Sequence, residues 1–357
     1  MEGNISKYVV RVRPDKEKKI EELSNLDKEE VETLEKNIEN NIEHIVLTGN
    51  SYSKKFCEQI GELFKKSTKL TRVDVHDTFV SRLKTELPEA IGFLGNGLIG
   101  KNIIELDISD NAVNPFGAIA LSPFLEQATS LKVFLINNAG LGIDGVKTIS
   151  AALAKGTPNL EKFAITRNRA ENPGAIAIAE ALPKLTKLKE LIVFQDVIKK
   201  DGMLALLKSL ATNCPDLELL DIRDNFLKEE TIQEMANLIK VCKKLRALNI
   251  SDCNIEEDEN DIIIQALEES EVKLEKLGYN YAELNSNQAK KLIDILFSRN
   301  SELKRLDIKG NDFNSATQKY YKEKFGDKSG LSNFESDDEE EEDPAAQLVK
   351  DFANLHI

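Results

Sequence analysis

The chain has 357 residues, of which 41% are apolar, so it is long enough to bury a substantial core. Its formal net charge is −14, and removing the eight acidic side chains of residues 335–343 leaves −6 for the rest. An acidic surface repels phosphate backbones, which argues against nucleic acid as a partner and favours a basic protein.

The four cysteines form no CxxC pair and the three histidines are dispersed, so neither a metal site nor a disulfide framework is expected. The N-terminus lacks an apolar leader, and no run approaches the roughly 18 apolar residues that a membrane span needs. We therefore expect an intracellular chain without membrane contact. Residues 1–41 contain one strand-like and one helix-like pattern and are predicted to form an N-terminal cap over the first repeat.

From residue 42 onward the template LxxLxLxxN recurs, first as Ile42, Ile45, Leu47 and Asn50. We call its last residue the ladder position, which in ten successive copies is Asn50, Thr78, Asn111, Ala139, Asn168, Asp196, Asn225, Cys253, Ala282 and Asn311. Ten copies in register indicate a leucine-rich repeat protein.

The copies are 28 or 29 residues apart, with one interval of 33. Each alternating LxL core predicts a short strand, and intervening stretches such as GVKTISAALAKG carry the apolar spacing of a helix. Residues 42–325 are therefore predicted to be an α/β leucine-rich repeat horseshoe of the ribonuclease-inhibitor type. Its parallel sheet should line the concave face and its helices the convex face.

The interval of 33 residues contains the sequence HDTFVSRLKTELPEAIGFL, residues 76–94. Extra length in a loop that follows a strand is expected to project side chains toward a partner, and Arg82 is the candidate. The alternative is that Arg82 is an ordinary surface side chain, either solvated or paired with a carboxylate of the same chain. The next segment, GNGLIGKN at residues 95–102, carries the glycines of nucleotide-binding motifs. Those motifs follow a strand and open a helix, whereas these glycines precede a strand, so we predict a helix-to-strand loop instead.

Beyond the last copy, TQKYYKEKFGDKSG predicts a final helix. Residues 326–357 form an acidic tail that is too charged to bury much apolar surface and is expected to be disordered.

Several of these stretches resemble the Ran GTPase-activating proteins. DTFVSRLKTELPEAI is similar to that family's arginine loop and the helix after it, and NNAGLGIDG and ITRNRAENPGA are similar to later family segments. The acidic tail with its short apolar end also fits, so the similarity extends over nearly the whole chain.

The resemblance implies a protein that accelerates GTP hydrolysis by Ran without inserting an arginine finger. It would dock on Ran's switch regions and position Ran's own catalytic glutamine. Arg82 and Lys84 match the family's loop arginine and the basic residue after it, Asn138 the asparagine that contacts the glutamine, and Asp224 an acidic contact residue. Arg167 and Arg169 are weaker candidates for partner contacts.

The same resemblance implies no cofactor and no independent catalytic activity, because GTP and magnesium are bound by the GTPase. It implies Ran-GTP as the partner, alone or with a Ran-binding protein, and a cytoplasmic monomer that supports nucleocytoplasmic transport. One departure concerns Ala139, which replaces the usual ladder asparagine and is expected to loosen the turn beneath Asn138.

Two other functions fit a repeat scaffold. One is a non-catalytic inhibitor or scaffold that binds a basic protein on its concave face. The other is an actin-filament capping protein, although such a protein should carry a long helical N-terminal region.

Overall fold

The structure, a computed structural model, describes residues 6–299 and 303–325. The predicted acidic tail, residues 326–357, lies outside the described residues. The described chain divides into two compact units. The first comprises residues 6–188 and 195–209, and the second comprises residues 189–194, 210–299 and 303–325.

The first unit is built from short strands and longer helices that alternate after the N-terminal segment. Its strands are β1 (Lys7–Val9), β2 (Lys19–Ile20), β3 (His44–Val46), β4 (Ser51–Tyr52), β5 (Arg72–Asp74), β6 (Glu105–Asp107), β7 (Val133–Leu135) and β8 (Lys162–Ala164). Its helices are α1 (Lys28–Asn37), α2 (Lys54–Lys66), α3 (Leu87–Leu98), α4 (Asn114–Leu125), α5 (Gly142–Gly156) and α6 (Glu171–Ala181). Strands β1, β3, β5, β6, β7 and β8 form one parallel sheet in that order, and β2 pairs with β4.

The second unit repeats the same pattern. Helix α7 (Lys200–Asn213) begins in the first unit and ends in the second. The strands of the second unit are β9 (Glu190–Ile192), β10 (Leu219–Asp221), β11 (Ala247–Asn249), β12 (Lys276–Gly278) and β13 (Arg305–Asp307), paired in parallel in that order. Its helices are α8 (Glu230–Val241), α9 (Asn260–Glu269), α10 (Ser286–Arg299) and α11 (Ser315–Phe325). Single 3-10 turns occur at Asp15–Glu17, Leu23–Asn25, Leu182–Lys184 and Glu257–Glu259.

Each three-residue strand buries its middle residue. Val73 of β5 lies opposite Leu106 of β6 in the core, and the residues on either side of them point to the other face of the sheet. Between β7 and β8 the rings of Phe134 and Phe163 stack with their centroids 6.0 Å apart. Such a pair contributes about 0.5–1.5 kcal/mol beyond the burial of its surface.

The ladder asparagines bind the turns of neighbouring repeats together. The Asn111 side-chain oxygen accepts hydrogen bonds from the backbone N–H groups of Thr78 and Phe79, at 2.8 and 3.1 Å. Its Nδ2 donates to the carbonyl oxygens of Val75 and Ile108, at 2.7 and 3.1 Å. One buried amide thus satisfies backbone groups of two repeats, which would otherwise be left without partners away from water.

At two ladder positions a residue other than asparagine forms some of these hydrogen bonds. The Cys253 thiol donates to the carbonyl oxygens of Ile222 and Ser251, at 3.4 and 3.5 Å. The Asp196 carboxylate accepts from the backbone N–H groups of Asn168 and Ala170, at 2.7 and 3.3 Å. Burial raises the pKa of Asp196 from 3.8 to about 7, because the charged form loses its water.

The glycines at residues 95–102 correct one expectation. Gly95 and Gly97 lie inside α3 and are buried, rather than in a helix-to-strand loop. A Cβ atom on Gly97 would lie 2.6 Å from the carbonyl oxygen of Gly61 in α2. Gly97 is needed because the backbones of α2 and α3 approach each other closely, a contact that the linear sequence does not reveal.

The N-terminal segment contains the expected strand and helix. Strand β1 pairs with β3 so that Tyr8 lies beside Ile45, and Leu34 of α1 is fully buried. At the other end, α11 is anchored where the Tyr321 hydroxyl donates to the carbonyl oxygen of Leu306 at 2.6 Å. Among the described residues, no helix has both the length and the apolar composition needed to cross a membrane.

Replacing Asp196 by Asn should stabilise the protein above pH 7. The pKa of about 7 in the folded chain lies above the ordinary 3.8, so the folded state retains a proton that the unfolded state releases between these values. The unfolding free energy therefore falls as the pH rises through this window. The uncharged amide of the Asp196→Asn variant is not titrated, so this variant does not lose stability in this way. In thermal unfolding, its Tm at pH 8 should be several degrees higher than that of the wild-type protein. The difference between its Tm values at pH 5 and pH 8 should also be smaller than in the wild-type protein.

The matched control is Asp252→Asn, which removes a carboxylate from an exposed turn. If both variants keep the pH dependence of the wild-type Tm, the burial of a charged Asp196 does not limit stability.

Candidate functional site

The residue just before each ladder position has a left-handed backbone. In the first unit these residues, which we call the turn row, are Gly49, Asp77, Asp110, Asn138, Arg167 and Gln195, with φ values of 81°, 49°, 57°, 47°, 56° and 56°. The corresponding residues of the second unit are Asp224, Asp252, Tyr281 and Gly310. Glycine, asparagine and aspartate adopt this conformation at the least cost, which explains why they dominate these positions.

Hydrogen bonds between repeats hold the turn row in register. The backbone N–H of Asp110 donates to the carbonyl oxygen of Asn137 at 2.8 Å, and that of Asn138 to the carbonyl oxygen of Thr166 at 2.8 Å. Successive members of the row therefore follow the spacing of neighbouring strands, about 4.8 Å. Three of the candidates from the sequence occupy equivalent turns: Asn138 and Arg167 are neighbours in the turn row, and Asp224 has the same place in a turn of the second unit.

The side chains of the turn row also bond to one another. Asn138 is exposed, and its Nδ2 donates to Asp110 Oδ1 at 3.1 Å. Arg167 donates from Nε to Gln195 Oε1 at 2.7 Å. Asp110 was not among the residues expected from the sequence. The enrichment of Gly, Asn and Asp one residue before the ladder position is the signal that could have pointed to it.

Ala139 affects a different turn from the one expected. Its own backbone N–H donates to Asn168 Oδ1 at 3.0 Å, so the turn that carries Asn138 is held by the next repeat. Because alanine has no side-chain oxygen, the preceding turn lacks the hydrogen-bond acceptor that a ladder asparagine would supply. There the backbone N–H of Val113 donates to the carbonyl oxygen of Asn111 at 2.9 Å. The turn that carries Asn138 thus keeps its hydrogen bond to Asn168, and its loosening stays a prediction.

Arg82 faces the protein itself, which corrects the expectation that this side chain projects outward. Its side chain is only 9% exposed. Its guanidinium donates to Ser51 Oγ at 3.0 Å, to the Ser51 carbonyl oxygen at 2.5 Å, to the Ile20 carbonyl oxygen at 3.3 Å and to Glu21 Oε1 at 2.7 Å. Arg82 thus ties the long loop to β2 and β4 of the N-terminal segment.

Ser51 holds the same loop at a second point, because its hydroxyl donates to the carbonyl oxygen of Val80 at 2.5 Å. With the loop fastened in this way, other side chains point into solvent. Val80 is 54% exposed and Leu83 66% exposed, and Lys84 is exposed and has no salt bridge among the described residues. The outward groups of the loop therefore include two apolar side chains and one ammonium group, beside the hydroxyl groups of Ser81 and Thr85. Sequence reasoning missed Leu83, since a single apolar residue in a loop carries no pattern.

A small acidic cluster lies on the sheet close to the turn row. His76 Nδ1 is 2.6 Å from Asp74 Oδ1, and the ligand-type atoms of Asp74, His76 and Asp107 lie within 4.8 Å of one another. The hydrogen bond to Asp74 raises the pKa of His76, against the effect of partial burial. Burial raises the pKa of Asp107. Together with Asp110, these groups make this part of the first unit a place suited to basic side chains of a partner.

Comparison with known proteins identifies several curated relatives of the chain. The chain is 36% identical to Ran GTPase-activating protein 1 of Xenopus laevis over 165 residues, which are 43% of this chain and 28% of that protein. It is 32% identical to the Ran GTPase-activating protein of Drosophila melanogaster over 190 residues, 50% of this chain and 32% of that protein. It is 35% identical to Ran GTPase-activating protein 2 of Caenorhabditis elegans over 175 residues, 45% of this chain and 18% of that protein.

The resemblance to the Ran GTPase-activating proteins is confirmed. The matches cover between 18% and 32% of these relatives, so the chain spans a third or less of their length. The family profile described as Leucine Rich repeat matches residues 241–258. Among solved structures, a chain of the yeast Rad7 and Elc1 complex aligns with a TM-score of 0.55 over 80% of this chain and 75% of its own, at 11% identity. That likeness concerns the fold alone, and the α/β leucine-rich repeat fold is confirmed.

Arg82→Ala is expected to destabilise the protein, because it removes several charge-assisted hydrogen bonds between the loop and the N-terminal segment. The loss should be about 1–3 kcal/mol of unfolding free energy, measured by urea denaturation. Limited trypsin digestion should also show faster cleavage after Lys84 than in the wild-type protein.

The control for this prediction is Leu83→Ala, which changes an exposed side chain of the same loop and keeps the tryptic site. An Arg82→Ala variant as stable and as protease-resistant as this control would mean that Arg82 does not fasten the loop.

Proposed function

We propose that the chain is a GTPase-activating protein for the small GTPase Ran. The similarity to proteins of that name in three animals supports this assignment. The observation that connects this function with a particular residue is the exposed side-chain amide of Asn138. This residue lies at a turn that hydrogen bonds with both neighbouring repeats hold in place. A rigidly held amide suits a protein whose task is to orient a group on its partner.

In this proposal the turn row and the long loop dock on the switch regions of Ran. Asn138 contacts Ran's catalytic glutamine, which orients the attacking water. Lys84 and Leu83 supply contacts from the loop, and Arg82 keeps the loop in place. The engagement of the Arg82 guanidinium by Glu21 and two backbone carbonyls supports a mechanism without an arginine finger.

The chemistry of hydrolysis belongs to Ran, which binds GTP and magnesium. The chain needs no cofactor and has no catalytic activity of its own. In the first unit Arg169 is a further contact candidate and the acidic groups near His76 meet basic side chains, and in the second unit Asp224 is a contact candidate of its own. We place this activity in the cytoplasm, where a monomer acting on Ran-GTP, alone or with a Ran-binding protein, keeps that form scarce and so supports nucleocytoplasmic transport.

Single-turnover hydrolysis of GTP by Ran should accelerate saturably as this protein is added. A Ran variant with an apolar residue in place of its catalytic glutamine should bind the protein and show no acceleration, because the group to be oriented is missing. The rate of phosphate release and the binding of a fluorescent Ran are measured in parallel. Binding without any acceleration of wild-type Ran would identify the protein as an inhibitor or scaffold instead.

Asn138→Ala should lower the maximal rate by roughly ten- to hundredfold and change the half-saturation concentration little. A hydrogen bond that strengthens in the transition state contributes on the order of 1–3 kcal/mol to the rate and little to ground-state binding. The matched control is Asp252→Ala, which introduces alanine at an equivalent left-handed position of the second unit and carries the same backbone strain. If Asn138→Ala reaches the wild-type maximal rate at higher protein concentration, Asn138 is a binding residue only.

A further inference from the structure

The contact between Asp110 and Asn138 decides which end of the Asn138 amide faces outward. The two side chains belong to adjacent members of the turn row and meet at 3.1 Å. An ionised carboxylate only accepts hydrogen bonds, so the amide must direct its NH2 group toward Asp110. This assignment follows from the chemistry of the pair and does not depend on distinguishing the nitrogen from the oxygen of the amide.

The backbone leaves the pair little freedom to separate. Asp110 and Asn138 have φ values of 57° and 47°, and both N–H groups donate to backbone carbonyls of the following repeat. The carbonyl oxygen of the Asn138 side chain has no hydrogen-bond partner within the described chain and is exposed to solvent. It is the group that this turn presents to another molecule.

No other pair of neighbours in the turn row has this chemistry. Asp77 is followed by Asp110, a second carboxylate, and Arg167 is followed by Gln195, to which it donates. A carboxylate beside an asparagine amide occurs once in the row, at the position that the resemblance associates with the partner's glutamine.

We propose that Asp110 is a positioning residue that holds Asn138 with its amide oxygen outward, as an acceptor for an N–H donor of the partner. This inference rests on the proposed function, in which that donor is the side-chain NH2 of Ran's catalytic glutamine. The oxygen of the glutamine amide then faces the attacking water and accepts its hydrogen bond. No covalent step involves this chain, since Asp110 and Asn138 only orient groups.

Asp110→Asn tests this inference with the least change in shape. Asparagine tolerates the left-handed backbone, and its amide either donates or accepts, so Asn138 would populate both orientations. The maximal rate of Ran hydrolysis should fall by roughly 2- to 10-fold, with an unchanged half-saturation concentration. Asp252→Asn, the same replacement at an equivalent turn of the second unit, should keep both kinetic parameters.

The double variant Asp110→Asn with Asn138→Ala separates positioning from direct contact. If Asp110 acts through Asn138, the double variant should have the same maximal rate as Asn138→Ala alone. A further fall in rate in the double variant would show that Asp110 acts on Ran independently, and an unchanged rate for Asp110→Asn alone would overturn the proposal.

A measurement without Ran keeps this test separate from the proposed function. The side-chain NH2 signals of Asn138 in a nitrogen–proton NMR spectrum are identified by their absence in Asn138→Ala. They should shift in Asp110→Asn and stay in place in Asp252→Asn. If the wild-type protein fails to stimulate Ran, the proposed function is wrong, whereas signals that do not respond to Asp110→Asn would refute the positioning contact itself.

Discussion

The structure depends on the hydrogen bonding of the polar ladder side chains that follow most of the strands. Every strand-to-helix turn removes backbone N–H and carbonyl groups from water, and an asparagine such as Asn111 satisfies groups on its own turn and on the preceding one. The turn closes around this amide only if the residue before it adopts a left-handed backbone. The same constraint therefore orders the core and directs one side chain out of each turn at the regular spacing of the repeat.

The long loop between β5 and α3 contains backbone groups that no ladder side chain reaches. Asn111 satisfies the turn as far as Phe79, and the residues beyond it need other partners. Ser51 and Arg82 supply them, joining the loop to the N-terminal segment through both side-chain and backbone oxygens. The loop can then hold Leu83 and Lys84 in solvent without losing its shape. Arg82, a candidate contact residue from the sequence, therefore holds the loop in place in this structure.

A rigid turn carrying an exposed amide suits a protein that acts by orientation. In the proposed function, the GTPase supplies the nucleotide, the metal and the water, and this chain supplies a fixed position for the glutamine that aligns the water. A preformed contact contributes to rate because no ordering is needed when the transition state forms. The pairing of Asn138 with Asp110 adds a direction to the amide, which a freely rotating side chain would not have.

Asn138 became a candidate only through the resemblance of the chain to the Ran GTPase-activating proteins. The amino-acid sequence by itself determined the repeat, its ten ladder positions and the strand and helix in each copy. These features follow from periodicity and from local preferences, which act over a few residues and are visible in a linear chain. It also contained the signal for the left-handed turns, in the Gly, Asn and Asp that precede the ladder position.

Tertiary structure decided the inward direction of Arg82, the close approach of α2 and α3 at Gly61 and Gly97, and the pairing of Asp110 with Asn138. It also decided that Ala139 affects the turn before its own. Each of these contacts joins residues about one repeat or more apart in the chain. Their existence depends on the register between neighbouring strands and on the direction in which a side chain leaves its loop, and only the packed chain sets both.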